Sequence, residues 1–354
     1  MPAGQARTTN HKTLRLKPVI NLNRLNEEQL LDLRLCDLPL RITGSPLAVL
    51  IDRLYAELAE RGIDFQPPCW LAEEWFSPDA VPGIAIPFFL AHPRLAALEK
   101  KFMLEVEGGT DHQCMRILRH EAGHALDTAY RLHRRKEWRE MFGSFATPYP
   151  NSYQPRPNSR RYVLHLDAWY AQAHPAEDFA ETFAVWLTPN SRWRTRYAGW
   201  DALEKLEFVD ELMEDISGAA PANRKRKPVE PLKECKTTLR EHYRHKTEYY
   251  QTEGSSRYDR ILLRVFSNHE RYHGNEAASA YLRRIQKELV PLVSHGTGVH
   301  AYTIRHVVLQ LIRRCQELKL RVAGSHRRAW MNSLVMLTTQ SMNALHTGHY
   351  RFAV

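Results

Sequence analysis

The 354-residue chain has no apolar run of about 18 residues, so a membrane-spanning helix is not expected. Met1 to Leu16 is polar and basic and lacks the apolar core of a signal peptide, so export by the general secretory route is not expected either. Cysteine is scarce and scattered. Cys36, Cys69, Cys114, Cys235 and Cys315 are odd in number and form no C-x-x-C pair. That spacing argues against a zinc ribbon or a disulfide framework and fits a reducing cytoplasm. The net charge is +10, yet no recognised nucleic-acid module accompanies it. A nucleic-acid partner therefore ranks behind a soluble protein with many surface arginines.

What is present suffices for a packed protein. Hydrophobic residues make up 43% and aromatic residues 10% of the chain, and its length suggests roughly two domains of about 150 residues. Residues 1–20 read as a disordered tail, polar and without periodicity. Ser45-Pro46 has the cap-and-proline signature of a helix start, and Leu47, Leu50, Ile51, Leu54 and Leu58 follow at helical spacing. Ile84, Ile86 and the run Phe88-Phe89-Leu90 read as short strands. Pro87 cannot donate a ladder hydrogen bond, so its strand is expected at an edge, where an extended peptide could add on. An ordinary buried strand is the plain alternative.

The chemistry gathers at His120-Glu121-Ala122-Gly123-His124. The spacing predicts a helix from about Thr110 to His133, with Met115, Leu118, Ala122, Ala125 and Leu126 as its apolar face. Residues four apart share a helix face, so His120 and His124 can point at one metal ion. Glu121 would stand beside that ion without binding it, able to take a proton from water. Gly123 weakens a helix by about 1 kcal/mol relative to alanine, which implies close approach of another element such as a second helix. The variant with a third histidine six residues on is absent: Asp127 and Tyr130 occupy its glycine and histidine positions. The third ligand must come from elsewhere.

A second helix begins at Pro175 and carries Glu177 and Glu181 on one face, with Phe179, Phe183 and Trp186 on an apolar side. Glu177-Asp178-Phe179-Ala180 resembles the E-x-F-A of gluzincin metallopeptidases, and the stretch to Glu181 is similar to the E-x-F-A-E of anthrax-lethal-factor-like peptidases. With Trp75 to Asp79, Pro82 to Pro87 and His120 to Leu126, the chain looks like a bacterial family of zinc-binding metallopeptidases over roughly residues 65–190. The resemblance implies Glu177 as the third zinc ligand and Glu181 as a carboxylate that orients a ligand histidine. It also implies a tyrosine near the metal as oxyanion donor. Tyr170 takes that place, with Tyr162 as runner-up, since neighbouring Trp169 has no phenol. Two rivals stay open: Glu181 as the ligand with Glu177 behind it, and His174 as a ligand.

Beyond Leu187 a further helix is expected over Leu203 to Met213. Asn223 to Pro228 forms a basic, proline-ended linker. Helical spacing then recurs over Ile261–Phe266, Ala277–Val290, Tyr302–Leu320 and Trp330–Leu345. The dispersed His295, His300, His306, His346 and His349 suggest no second metal site. The expected architecture is α+β and mostly helical: a tail (1–20), a zincin-like catalytic domain with a small sheet and an active-site helix (21–220), a basic linker (221–230) and a helical C-terminal domain (231–354). The expected function is a cytoplasmic, zinc-dependent metallopeptidase acting on a peptide or protein, with Zn²⁺ as cofactor and no membrane partner. The C-terminal helices could recruit a protein. The competing reading is a metal-binding but non-catalytic module that interacts, through nucleic acid or otherwise, by its basic helical region.

Overall fold

The computed structural model describes residues 20–103, 106–150, 153, 156, 159–250, 258–299 and 301–346. The expected tail before Ile20, and His300 and His349, lie outside the described residues. The fold is α+β and mostly helical. In order it runs α1 (Glu27–Leu31), α2 (Pro46–Glu60), β1 (Cys69–Ala72), β2 (Ile84–Pro87), α3 (Pro93–Met103), α4 (Asp111–Tyr130), α5 (Lys136–Phe142) and α6 (Pro175–Leu187). Then follow α7 (Trp193–Arg196), α8 (Ala202–Ile216), α9 (Leu239–Tyr250), α10 (Asp259–Val265), β3 (Phe266–Ser267), α11 (Ala278–Thr297), α12 (Ala301–Glu317), β4 (Arg321–Val322) and α13 (His326–His346).

The sheet of β1 and β2 has two strands, so β2 lies at an edge as Pro87 implies, but that edge is not open. β1 and β2 pair in parallel, Cys69 opposite Ile84, Leu71 opposite Ile86 and Ala72 opposite Pro87. The other side of β2 is taken by Phe76, whose N–H donates to Ala85 and whose carbonyl accepts from it, at 3.4 and 2.8 Å. All four β2 residues are buried, so the strand offers no free edge at its centre. Pro87 sits at its last position, where the missing donor matters least. Phe88 to Ala91 is a 3₁₀ turn rather than a strand. Its apolar run reflects burial, not extension.

Three packing units account for most of the interior. The first joins α2, β2, α4, α6 and α8 through Leu54, Ile86, Leu118, Leu126, Phe179, Phe183 and Leu206. Here α4 crosses α6 at Gly123: a Cβ on that residue would lie 3.0 Å from the Ala180 Cα and 3.2 Å from Phe183 Cδ1. The glycine is present because the two backbones touch. The second unit packs Leu22, Leu30, Leu35, Phe88, Leu95 and Leu98 against Leu232, Leu239 and Tyr243. Residues 232–250 thus fold back on the N-terminal elements, with Cys36 N–H donating to the Cys235 carbonyl at 2.8 Å and Leu239 N–H to that of Leu33 at 2.9 Å. The third unit starts at Tyr258 and is built from α10 to α13. Among the described residues, no helix is long and apolar enough to cross a membrane.

Candidate metal centre

α4 and α6 present the site, and local rules explain why each starts where it does. Thr110 caps α4, its Oγ1 accepting the Gln113 N–H at 3.2 Å. Pro175 opens α6 at its first position, preceded by His174, whose Nδ1 accepts the Ala176 N–H at 3.1 Å. The predicted continuation of α4 to His133 stops at Tyr130. Arg131 turns left-handed (φ 56°), and the Asp127 carboxylate accepts both the backbone N–H and the Nδ1 side of His133 at 2.7 Å. The residue that stands in place of the third-histidine motif's glycine is therefore the one that ends this helix.

α6 is buried from Ala176 to Leu187. Its polar side chains must consequently find partners inside the protein. Asp178 Oδ2 takes the Lys205 ammonium at 2.5 Å. Burial still pushes the Asp178 carboxyl up to about 7, against the pull of Lys205. Thr182 Oγ1 donates to the Asp178 carbonyl at 2.6 Å. Glu181 binds His120 Nδ1 through Oε1 at 2.9 Å and the Leu166 N–H through Oε2 at 2.8 Å. With a proton on Nδ1 directed at Glu181, the Nε2 of His120 is left as a bare acceptor.

That bare nitrogen meets two other groups. His120 Nε2 lies 3.0 Å from Glu177 Oε2 and 3.1 Å from His124 Nε2, and His124 Nε2 lies 3.2 Å from the same Glu177 oxygen. Tetrahedral ligation at about 2.0–2.1 Å separates ligand atoms by about 3.3 Å, so the triangle matches the base of a zinc site. Three lone-pair atoms converge here, and a positive charge must balance them. The protonation tendencies report the same demand. Burial works to lower His120, yet its hydrogen bonds and charge contacts with Glu177 and Glu181 lift it to about 10. Burial works to raise Glu177, yet the two histidines hold its carboxyl well below the usual range. Two imidazoles and one carboxylate fit Zn²⁺, with a fourth position left for water.

Of the remaining expected residues, Glu121 and Tyr170 fall near this triangle, while Tyr162 and His174 do not face it. Glu121 is buried, and its Oε2 has no hydrogen-bond partner among the described residues. Its charge acts on His124, Tyr149 and Tyr170, which places it at the same centre. Ser77 donates to its backbone carbonyl at 3.0 Å. The Tyr170 ring lies 5.7 Å from that of His120. Burial first, then the charge of Glu177, raises the Tyr170 phenol well above its ordinary value, so it keeps its proton. Tyr162 lies elsewhere, with Lys205 Nζ 4.3 Å from its ring centroid. His174 is a helix cap whose Nε2 bonds the Thr147 carbonyl at 2.6 Å, so neither nitrogen faces the triangle. Among the described residues, His120, His124 and Glu177 are the one His/Cys/Asp/Glu group close enough to share an ion.

Two neighbours escape a reading by motif. Tyr149, in an irregular segment rich in proline, tyrosine and asparagine, donates its phenol to Glu177 Oε1 at 2.7 Å. His165 bonds the Arg116 carbonyl of α4 at 2.9 Å, and burial drives it down to about 4, so it stays neutral. Behind the site, Arg119 on α4 forms a buried fork onto Glu57 of α2 at 2.7 and 2.8 Å. Neither periodicity nor local spacing announces these contacts, since each joins segments far apart in the chain. The comparisons with known proteins agree with the location. No curated protein and no solved structure matches the chain. A family described as "Putative zinc-binding metallo-peptidase" matches residues 114–200, the stretch that carries both helices of the site.

Proposed function

We propose that the protein is a zinc-dependent metallopeptidase of gluzincin type, with His120, His124 and Glu177 as ligands. The observation that carries this reading is the triangle of ligand atoms at 3.0, 3.1 and 3.2 Å. A bound zinc ion would polarise the scissile carbonyl and acidify water at the open position. Glu121 takes the proton of the attacking water and returns it to the leaving amine, as general base and then acid. Its partnerless Oε2 suits that task, because no other group competes for the proton. Glu181 fixes the ring of His120 through Nδ1. Tyr170, protonated and lying on His120, donates to the developing oxyanion.

The substrate class is a peptide or protein. The five free cysteines support a reducing, cytoplasmic setting. The proposed division is a zincin-like catalytic domain over 21–220, a basic linker over 221–230 and a helical C-terminal domain over 231–354, whose first residues, Leu232, Leu239 and Tyr243, pack on the N-terminal elements. That domain is a candidate surface for a protein partner. The test is Glu121→Gln measured against wild type in a peptide-library cleavage assay with parallel metal analysis. The variant is expected to keep its zinc and lose cleavage by about 10²–10⁴-fold. Undiminished cleavage by the zinc-loaded variant removes Glu121 from the mechanism. Wild-type protein that binds zinc, cleaves nothing and shows salt-sensitive nucleic-acid binding favours the non-catalytic module.

A further inference from the structure

Glu177 has two carboxylate oxygens, and only Oε2 faces the histidines. Oε1 is held from outside by Tyr149, whose hydroxyl lies 2.7 Å away. Tyr149 is itself held in place. Its ring stacks on that of His174 at 3.8 Å between centroids and 15° between planes. His174 is pinned at both nitrogens: Nδ1 accepts the Ala176 N–H at 3.1 Å, so Nε2 carries the proton and donates to the Thr147 carbonyl at 2.6 Å. Thr147 lies two residues before Tyr149, and His174 lies three before Glu177. The contacts Thr147–His174, His174–Tyr149 and Tyr149–Glu177 close a ring that ties the loop to the head of α6. Further along the same segment, Phe145 stacks on His133 at 4.3 Å, and Gly143 packs beside Pro175.

We propose that Tyr149 is a positioning residue of the metal centre: its phenol occupies Oε1 of Glu177, so that the carboxylate offers a single oxygen to the ion. The inference rests on the metal-site reading above. A carboxylate free at both oxygens can bind through both, which adds a ligand atom and crowds the position needed for water and substrate. A phenol on Oε1 removes that option and fixes the rotation of the carboxylate. The hydrogen-bond length and the stack on His174 hold the phenol where it can do both. Tyr149 as a whole residue is 57% exposed. Removing one oxygen from so open a side chain leaves the fold and the ring stack intact.

The experiment measures zinc affinity by competition with a chromogenic chelator for wild type, Tyr149→Phe and Glu177→Gln, with visible spectra of the cobalt(II)-substituted proteins and thermal unfolding of the metal-free forms. Tyr149→Phe is expected to bind zinc about 10–100-fold more weakly than wild type. It should weaken the intense cobalt bands of a four-coordinate site while leaving metal-free unfolding unchanged. Zinc affinity within about twofold of wild type and a superposable cobalt spectrum, with Glu177→Gln clearly weakened, overturn the role of Tyr149 alone. Wild-type protein without zinc affinity, or Glu177→Gln binding as tightly as wild type, overturns the metal-site reading and this inference with it. A purely packing role would lower the unfolding temperature of Tyr149→Phe and leave its cobalt spectrum alone, which also sinks the proposal.

Discussion

The region around α4 and α6 and the bundle of α10 to α13 are both helical and both well packed, but they bury different chemistry. Among the described residues, every buried charged or histidine side chain, from Glu57 through Arg119, His120, Glu121, Asp178 and Lys205 to His242, precedes residue 243. Among the described residues of the bundle, the fully buried polar residues are uncharged, Ser279, Thr297, Thr303, Ser333 and Ser341, although the Nε of the half-buried Arg305 is also covered. A buried charge is expensive unless it is paired, so the first region must be built to close tolerances. Gly123 against Ala180, Glu181 between His120 and Leu166, and the Arg119–Glu57 fork are those tolerances. The bundle's own fork, Arg314 onto Asp259 at 2.6 and 2.7 Å, is partly open to solvent, and Leu263, Leu292, Met331 and Val335 are exposed. Chemistry and tight geometry go together in the first region, and forgiving apolar packing suffices in the second.

The largest expected effect comes from breaking the buried fork. Glu57→Ala strands Arg119 on the metal helix itself and should destabilise the first region by about 3–5 kcal/mol, read by denaturant unfolding. Replacing a bundle serine such as Ser333 by alanine should change little, and an equal loss at the two sites would dissolve the contrast. Metal removal comes next. A ligand at a thousandfold its Kd stabilises by about 4 kcal/mol. Chelation should therefore lower the melting of the α4–α6 region and leave that of the bundle in place, as seen by hydrogen exchange followed by mass spectrometry.

A pH effect follows at smaller size. His165 is held neutral at about 4, below the ordinary histidine value near 6.5. Below that ordinary value the unfolded chain binds a proton that the folded chain refuses, so stability falls as pH drops from about 6.5 toward 4. The loss should be on the order of 1–3 kcal/mol, and His165→Gln should flatten it in urea titrations across that window. The smallest effect is a matched pair. Gly123→Leu drives a side chain into Ala180 and should cost about 1–3 kcal/mol, whereas a Cβ at Gly296 of α11 meets nothing within 4 Å. Gly296→Leu should therefore gain up to about 1 kcal/mol. Thermal unfolding of both variants gives the signs, and like signs would refute the difference in packing.

Much of this contrast was legible without coordinates. The helices of the bundle, the start of α2 at Pro46 and the cap of α4 at Thr110 follow from periodicity and capping, which are local. Gly123 announced a crossing helix because a glycine is costly there unless something needs the room. Two readings fell short, each for its own reason. Phe88-Phe89-Leu90 looked extended because it is apolar, yet burial does not distinguish a 3₁₀ turn from a strand. Pro87 implied an edge, but Phe76 covers the far side of β2 through a bridge formed after an intervening turn.

The sequence alone determined that His120 and His124 share a face with Glu121 between them, because four residues on a helix return to the same side. It also determined that Glu177 and Glu181 lie together on another helix, for the same reason. Only the tertiary structure decided which of the two carboxylates meets the histidines' Nε2 atoms and which sits behind His120. That choice depends on the rotation and depth of α6 against α4, set by the Gly123–Ala180 contact and by the burial of Phe179 and Phe183. It likewise decided that Tyr149 closes over Glu177, since a side chain from an irregular loop is aimed by what it packs against and not by any repeat in the chain.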